Sequence, residues 1–237
     1  MGARKWEYNE DYFEKIDSNE KAYWFGFITA DGYVQDNRKT ANKSTATSLR
    51  IRLSEVDKSH LEKLNSDIQS NKPIKVVKNY GIYENCKDLA EFNLSSCKMV
   101  DDLSNLGLVP GNKSCHEVMP TWDDDILIKN FILGIFDGDG SIATYKGWST
   151  RDNKYKDLAE WGIVSSEAMC NSISKFLSEN VEGTVFHVSK NSNKKDNELY
   201  RVRTGSKVTM KKLYEYFYGD NCSTSIMDRK YDKFAEL

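Results

Sequence analysis

One nine-residue phrase occurs twice in this chain, and whatever fold it takes must accommodate both copies. Trp24-Phe-Gly-Phe-Ile-Thr-Ala-Asp-Gly32 is answered by Ile132-Leu-Gly-Ile-Phe-Asp-Gly-Asp-Gly140: an apolar run, a small residue at the third and seventh places, then Asp-Gly. The closing aspartates, Asp31 and Asp139, lie 108 positions apart (139 − 31 = 108). With 237 residues available, that spacing leaves room for two similar halves, each able to bury a core of its own.

The rest of the sequence supports a duplication. Asp17 and Glu20 have N-cap and capping-box spacing, predicting a helix from about Ser18 to Asp31 that Gly32 stops. Residues 33–37 read as a strand, and Ser48–Ser54 alternates strictly, with Leu49, Ile51 and Leu53 on one face and Ser48, Arg50 and Arg52 on the other. A helix follows from Asp57, strands over 74–80 and 89–94, and a helix over 99–106. The stretch 110–120, bounded by Pro110 and Pro120, reads as a linker between a half at 1–109 and a half at 121–237. Thr121 and Asp124 then open a helix to Asp139. Strands at 141–145 and 158–164, a helix at 168–177, strands at 184–189 and 199–203, and a helix at 208–218 repeat the order. The expected class is α+β, two pseudo-symmetric αββαββα halves, with the tail 219–237 having no counterpart.

Gly26 and Ala30 are four apart, as are Gly134 and Gly138, so each repeated helix carries a stripe where another backbone can come close. If the stripes pack on each other, Asp31 and Asp139 end side by side at the negative ends of two helices, a place that disfavours carboxylates. A divalent cation reverses that penalty. Carboxylate oxygens suit Mg²⁺, which keeps several waters and takes substrate phosphate as well. Carboxylates, metal and basic segments together point to phosphodiester hydrolysis. Asp137 has Thr29 as its counterpart and stays outside this metal set. An EF-hand loop starting there fails, because its sixth place is Ile142 and its twelfth Trp148.

Net charge is −2, unlike that of many nucleic-acid-binding domains, but the charge is segregated. Residues 34–53 carry Arg38, Lys39, Lys43, Arg50 and Arg52 against Asp36; residues 184–212 carry eight basic side chains against Asp196 and Glu198. Such stretches can hold phosphates whatever the total charge. The five cysteines form no C-x-x-C pair and read as reduced thiols. His60, His116 and His187 lie far from the repeated phrase and read as structural. With no long apolar run and no signal peptide, the expected location is the cytoplasm of a bacterial host.

Lys21-Ala-Tyr-Trp-Phe-Gly-Phe-Ile-Thr-Ala-Asp-Gly32 and its repeat resemble the paired motifs of the LAGLIDADG homing endonucleases, in the one-chain form found in phage and bacteria. The resemblance implies antiparallel sheets forming a saddle over duplex DNA, with the motif helices at its centre and no protein partner required. It implies that Asp31 and Asp139, with the carbonyls of Ala30 and Gly138, hold catalytic Mg²⁺, two or more ions per site, with Mn²⁺ substituting. It places catalytic lysines at Lys98 and Lys207, and polar helpers near Glu55 and Ser166. DNA contacts fall to Gln35, Arg38, Arg50, Arg52, Asn93, Arg201 and Arg203 for bases and to Lys43, Lys78, Lys194 and Lys195 for phosphate. A maturase or a non-cleaving DNA-binding protein on the same scaffold is the competing reading.

Overall fold

The computed structural model describes residues 5–38, 46–78, 87–111, 116–149, 153–191 and 198–237. Among these residues the α-helices and strands follow in order: α1 (Asn19–Asp31), β1 (Gly32–Asp36), β2 (Thr47–Ser54), α2 (Lys58–Asp67), β3 (Lys75–Val77), β4 (Leu89–Leu94), α3 (Cys97–Asn105), α4 (Asp125–Asp139), β5 (Gly140–Ser149), β6 (Lys154–Ser165), α5 (Glu167–Asn180), β7 (His187–Lys190), β8 (Tyr200–Thr204), α6 (Lys207–Tyr218) and α7 (Asp228–Ala235). The pattern αββαββα therefore runs twice and is followed by one extra helix. Each half has a four-stranded antiparallel sheet, ordered β1-β2-β4-β3 and β5-β6-β8-β7.

The two sheets repeat each other in register. Gly32 pairs with Ile51 and Ile51 with Phe92; Gly140 pairs with Ile163 and Ile163 with Val202. In β2 and β4 the inward residues Leu49, Ile51, Leu53, Ala90, Phe92 and Leu94 are buried while the residues between them face out, as an antiparallel sheet with one covered face requires.

α1 and α4 are covered all round: every residue from Ala22 to Thr29 and from Ile128 to Asp137 is buried, most of them apolar. Helices of that kind must be enclosed on all sides. They enclose each other. A methyl added at Gly26 would collide with the carbonyl oxygen of Phe131, and one at Gly134 with that of Tyr23. Gly134 is Gly26 moved by 108 positions and Phe131 is Tyr23 moved by the same 108, so the contact is self-complementary about a pseudo-two-fold axis. On that axis Gly138 lies against the Ala30 Cβ.

The helix starts differ from expectation in detail. Ser18, not Asp17, caps α1 by accepting from the Lys21 N–H, while Asp17 pairs with the Lys21 ammonium at 2.8 Å. Asp124 caps α4, taking the Ile126 and Leu127 N–H groups. Gly32 and Gly140 end their helices sterically: both are extended, and a Cβ on Gly32 would sit 2.6 Å from the Ile28 carbonyl oxygen. β5 and β6 run longer than their alternation suggested.

The tail, which has no counterpart in the first half, is the largest addition to the duplicated plan. Residues 219–237 bind both halves and contain α7. Asn130, fully buried in α4, donates to the Asn221 carbonyl at 2.9 Å and accepts from the Ser223 N–H at 2.8 Å. Ser225 donates to Asp67, which also takes the Trp24 indole N–H at 2.6 Å. Lys63 of α2 reaches the Ile226 carbonyl at 2.7 Å, and Arg229 forms a two-bond pair with Asp57 at 2.9 and 3.0 Å. The tail ties α2 to α4.

Gly26→Ala and Gly134→Ala should each lower the free energy of unfolding by about 1–3 kcal/mol, the usual cost of overpacking, as read by urea denaturation. Gly205→Ala, whose added methyl meets nothing closer than the Ala159 carbonyl oxygen at 3.6 Å, should cost less than either. Equal midpoints for all three would contradict the backbone contact.

Candidate active site at the ends of the motif helices

Because Gly138 abuts Ala30, the residues that follow them, Asp139 and Asp31, are brought to one place at the paired helix ends. A Cβ on Gly138 would lie 3.5 Å from the Asp31 backbone nitrogen. Both aspartates are exposed. Beneath them is a buried cation that the sequence did not single out. Lys230 of α7 donates from Nζ to the carbonyls of Phe136 at 2.7 Å, Gly138 at 3.2 Å and Gly140 at 2.7 Å, capping the negative end of α4. Burial pushes its pKa down to about 8, against the pull of Asp137, Asp31 and Asp139. Both expected metal-binding acids thus lie within the field of one ammonium.

Asp137 is on the other side of α4, in the interior. One carboxylate oxygen accepts from the Tyr23 hydroxyl at 2.6 Å and from the Met227 N–H at 2.9 Å. Tyr23 also meets the His60 Nε2 at 3.3 Å. Burial lifts the Asp137 pKa to about 6, with the Tyr23 and Met227 hydrogen bonds opposing, and burial drops that of His60 to about 3. Asp137 is therefore a bolt between α1, α4 and the tail, consistent with leaving it out of the metal set.

Asp31 and Asp139 offer carboxylate oxygens at two helix ends, the donor type that suits a hard cation; among the described residues there is no group of three or more His, Cys, Asp or Glu that could hold a metal ion. The Gly138 carbonyl, expected among the metal ligands, accepts from Lys230 Nζ at 3.2 Å.

No protein-family model and no curated protein matches the chain. Solved structures do. Meganuclease I-SmaMI bound to uncleaveable DNA matches with a TM-score of 0.60 at 12% identity, covering 90% of this chain and 87% of that one. The LAGLIDADG homing endonuclease I-GzeII in complex with its DNA target gives 0.58 at 14%, covering 91% and 87%. The I-LtrWI LAGLIDADG homing endonuclease bound to target DNA gives 0.55 at 15%, covering 96% and 90%. The fold is the LAGLIDADG fold.

In the LAGLIDADG fold of this chain, the outward faces of the sheets carry most of the residues expected to meet DNA. On the first sheet Tyr33, Arg50 and Asn93 lie in register across β1, β2 and β4, with the Arg50 guanidinium 5.0 Å from the centre of the Tyr33 ring. Gln35 accepts from Ser48 at 3.4 Å, and Arg52 pairs with Glu91 at 2.6 Å. Arg38 is held by Asp36 at 2.9 Å and by Asp101. Lys78 follows β3 and is exposed. On the second sheet Arg201 and Arg203 both reach Glu160. Lys43, Lys194 and Lys195 lie outside the described residues.

The expected catalytic lysines are placed differently from each other and from Lys230. Lys98 is enclosed by Glu14 at 2.9 Å, Asp102 at 3.0 Å and Asp11 at 3.4 Å, and its hydrogen bonds to Glu14 and then Asp102 raise its pKa. Matching the helix caps, Ser96 of α3 with Ser206 of α6, puts Val208 opposite Lys98 and Lys207 opposite Cys97. Lys207 is exposed at the first turn of α6. Glu55 is exposed on the 3-10 turn before α2. Ser166 is buried as the cap of α5, accepting from the Met169 N–H at 3.0 Å and donating to the Glu117 carbonyl at 2.5 Å. Lys230 was missed because its partners are backbone carbonyls 90 to 94 positions away, which no local pattern announces.

Asp137 has a pKa near 6 in the fold against 3.8 in the free residue, so between those values the folded chain holds the extra proton and stability falls as pH rises. Wild type should therefore lose stability relative to Asp137→Asn from about pH 4 to 6 and hold a constant offset above that, by urea unfolding at successive pH values. A relative gain over that window would refute the assignment.

Proposed function

We propose that this chain is a site-specific double-strand DNA endonuclease, a homing endonuclease working as a monomer through divalent-metal-assisted hydrolysis of phosphodiesters. The observation that carries the reading is the self-complementary contact of the two motif helices, which brings Asp31 and Asp139 together above a buried lysine. Solved structures of the same fold that are described as DNA-bound nucleases support it.

Asp31 and Asp139 would hold the cation, Mg²⁺ or Mn²⁺, with the carbonyls of Ala30 and Gly138 as further oxygen donors. When bound, the cation supplies Lewis-acid stabilisation of phosphate charge and a water of lowered pKa. The chain itself does the rest. Lys230 fixes the end of α4 and adds a positive field where charge builds on phosphate. Lys98 and Lys207, at the first turns of α3 and α6, are candidates for phosphate contact at the flanks. The outward side chains of β1, β2, β4 and β8 enter the major groove, where arginine reads guanine and Asn93 or Gln35 reads adenine. Because the outward faces of the halves differ, the target is long and asymmetric.

Asp31→Asn and Asp139→Asn should each keep duplex affinity in Ca²⁺ within a few-fold while slowing double-strand cleavage in Mg²⁺ by about 100-fold or more, the scale of losing one charge-stabilising group. The assay is selection and end-sequencing from a randomised duplex library. Among Met replacements of lysines, Lys230→Met should lose most activity in single-turnover cleavage and Lys98→Met less. Selective retention of duplexes without cut ends would instead establish a DNA-binding protein, and undiminished cutting by both Asn variants would remove the aspartates from the mechanism.

A further inference from the structure

On the outward face of the second sheet, two arginines stand on one carboxylate. β6 supplies Glu160 and β8 supplies Arg201 and Arg203, alternating with Trp161, Ile163, Val202 and Thr204, which are buried in the core. Glu160 Oε1 is ion-paired with Arg201 Nη2 at 3.0 Å, and Oε2 accepts from Arg203 Nη1 at 2.9 Å. Arg201 Nη2 also donates to Ser141 Oγ at 3.2 Å. Gly162 makes the room, since a Cβ there would stand 3.1 Å from Arg201 Nε and 3.2 Å from Arg203 Cβ. The carboxylate is the covered member, 14% exposed against 30% and 46% for the two arginine side chains.

The arrangement belongs to the second half alone. Strand register sets Ser48 opposite Glu160, Arg50 opposite Gly162, Glu91 opposite Arg201 and Asn93 opposite Arg203. An acid in the middle of a surface meant for phosphates weakens binding through repulsion. Here it orders two flexible arms before any partner arrives, and pre-ordering removes an entropy cost that each arginine would otherwise meet on binding. Arg203 keeps Nε and Nη2 beyond the Nη1 used on Glu160, enough for paired bonds to a guanine edge, while Arg201, whose Nε is buried, keeps Nη1.

Resting on the DNA reading above, we infer that Glu160 is a positioning residue for sequence specificity: it holds Arg201 and Arg203 as a fixed pair that reads neighbouring base pairs in one half of the target. The test is selection of a randomised duplex library by the full chain in Ca²⁺, comparing wild type with Glu160→Gln. The variant should select the same target except at one short run of adjacent positions, where preference falls about tenfold, the low end of what one paired arginine–guanine contact contributes. Its affinity for random duplex should rise, since one negative charge is gone. A variant profile equal to wild type at every position overturns the inference, whatever the change in affinity, and so does a loss spread evenly over both halves of the target. If wild type itself selects no sequence, the DNA reading fails and takes this inference with it, an outcome that does not depend on the variant.

Discussion

Everything else in this molecule depends on two helices touching backbone to backbone. Gly26 against Phe131 and Gly134 against Tyr23 are contacts that no side chain larger than hydrogen permits. Being equivalent under the 108-position shift, they leave one mutual arrangement of α1 and α4. Each helix runs directly into the first strand of its own sheet, at Gly32 and at Gly140. The contact therefore orients two sheets and two carboxylates at once.

The symmetry is broken by the tail. α7 and the segment before it cross from α2 to α4, put Lys230 under the second motif and bond Asp137 within it through the Met227 N–H. Two buried ionisable groups are costly, and their pKa values show it: Asp137 is pushed up to about 6 and Lys230 down to about 8. For Lys230 the sign is that stability rises with pH between about 8 and the free value of 10.5, because there the unfolded chain binds the proton more tightly. At neutral pH the charge is retained at the expense of stability, the kind of exception expected where a site rather than a core sets the requirement.

Much of this was legible in the sequence. Duplication, element order, the small-residue stripes and the wet face of β2 all follow from spacing and period, which are local properties. The misses share a cause. Ser18 capping instead of Asp17 depends on which of two neighbours reaches the Lys21 N–H. The role of the tail was not legible because 219–227 is held by long-range bonds to Asn130, Asp67 and Lys63. Lys230 acts on carbonyls, and carbonyls leave no trace in sequence. The partners of Lys98 were not legible either, since the fold brings Glu14 and Asp11 to it from the lead-in segment.

The outward faces add a second break in symmetry. The first sheet sets Arg50 and Arg52 on β2 with Glu91 on β4; the second sets Glu160 on β6 with both arginines on β8. One backbone frame thus presents two different charge patterns around a shared centre. The centre itself is open to a direct measurement: calorimetric titration of Mn²⁺ into metal-free wild type and into the Asp31→Asn/Asp139→Asn double variant. Paired carboxylates that need a cation predict saturable Mn²⁺ binding by wild type that the double variant loses. The same binding heat from both proteins would contradict them.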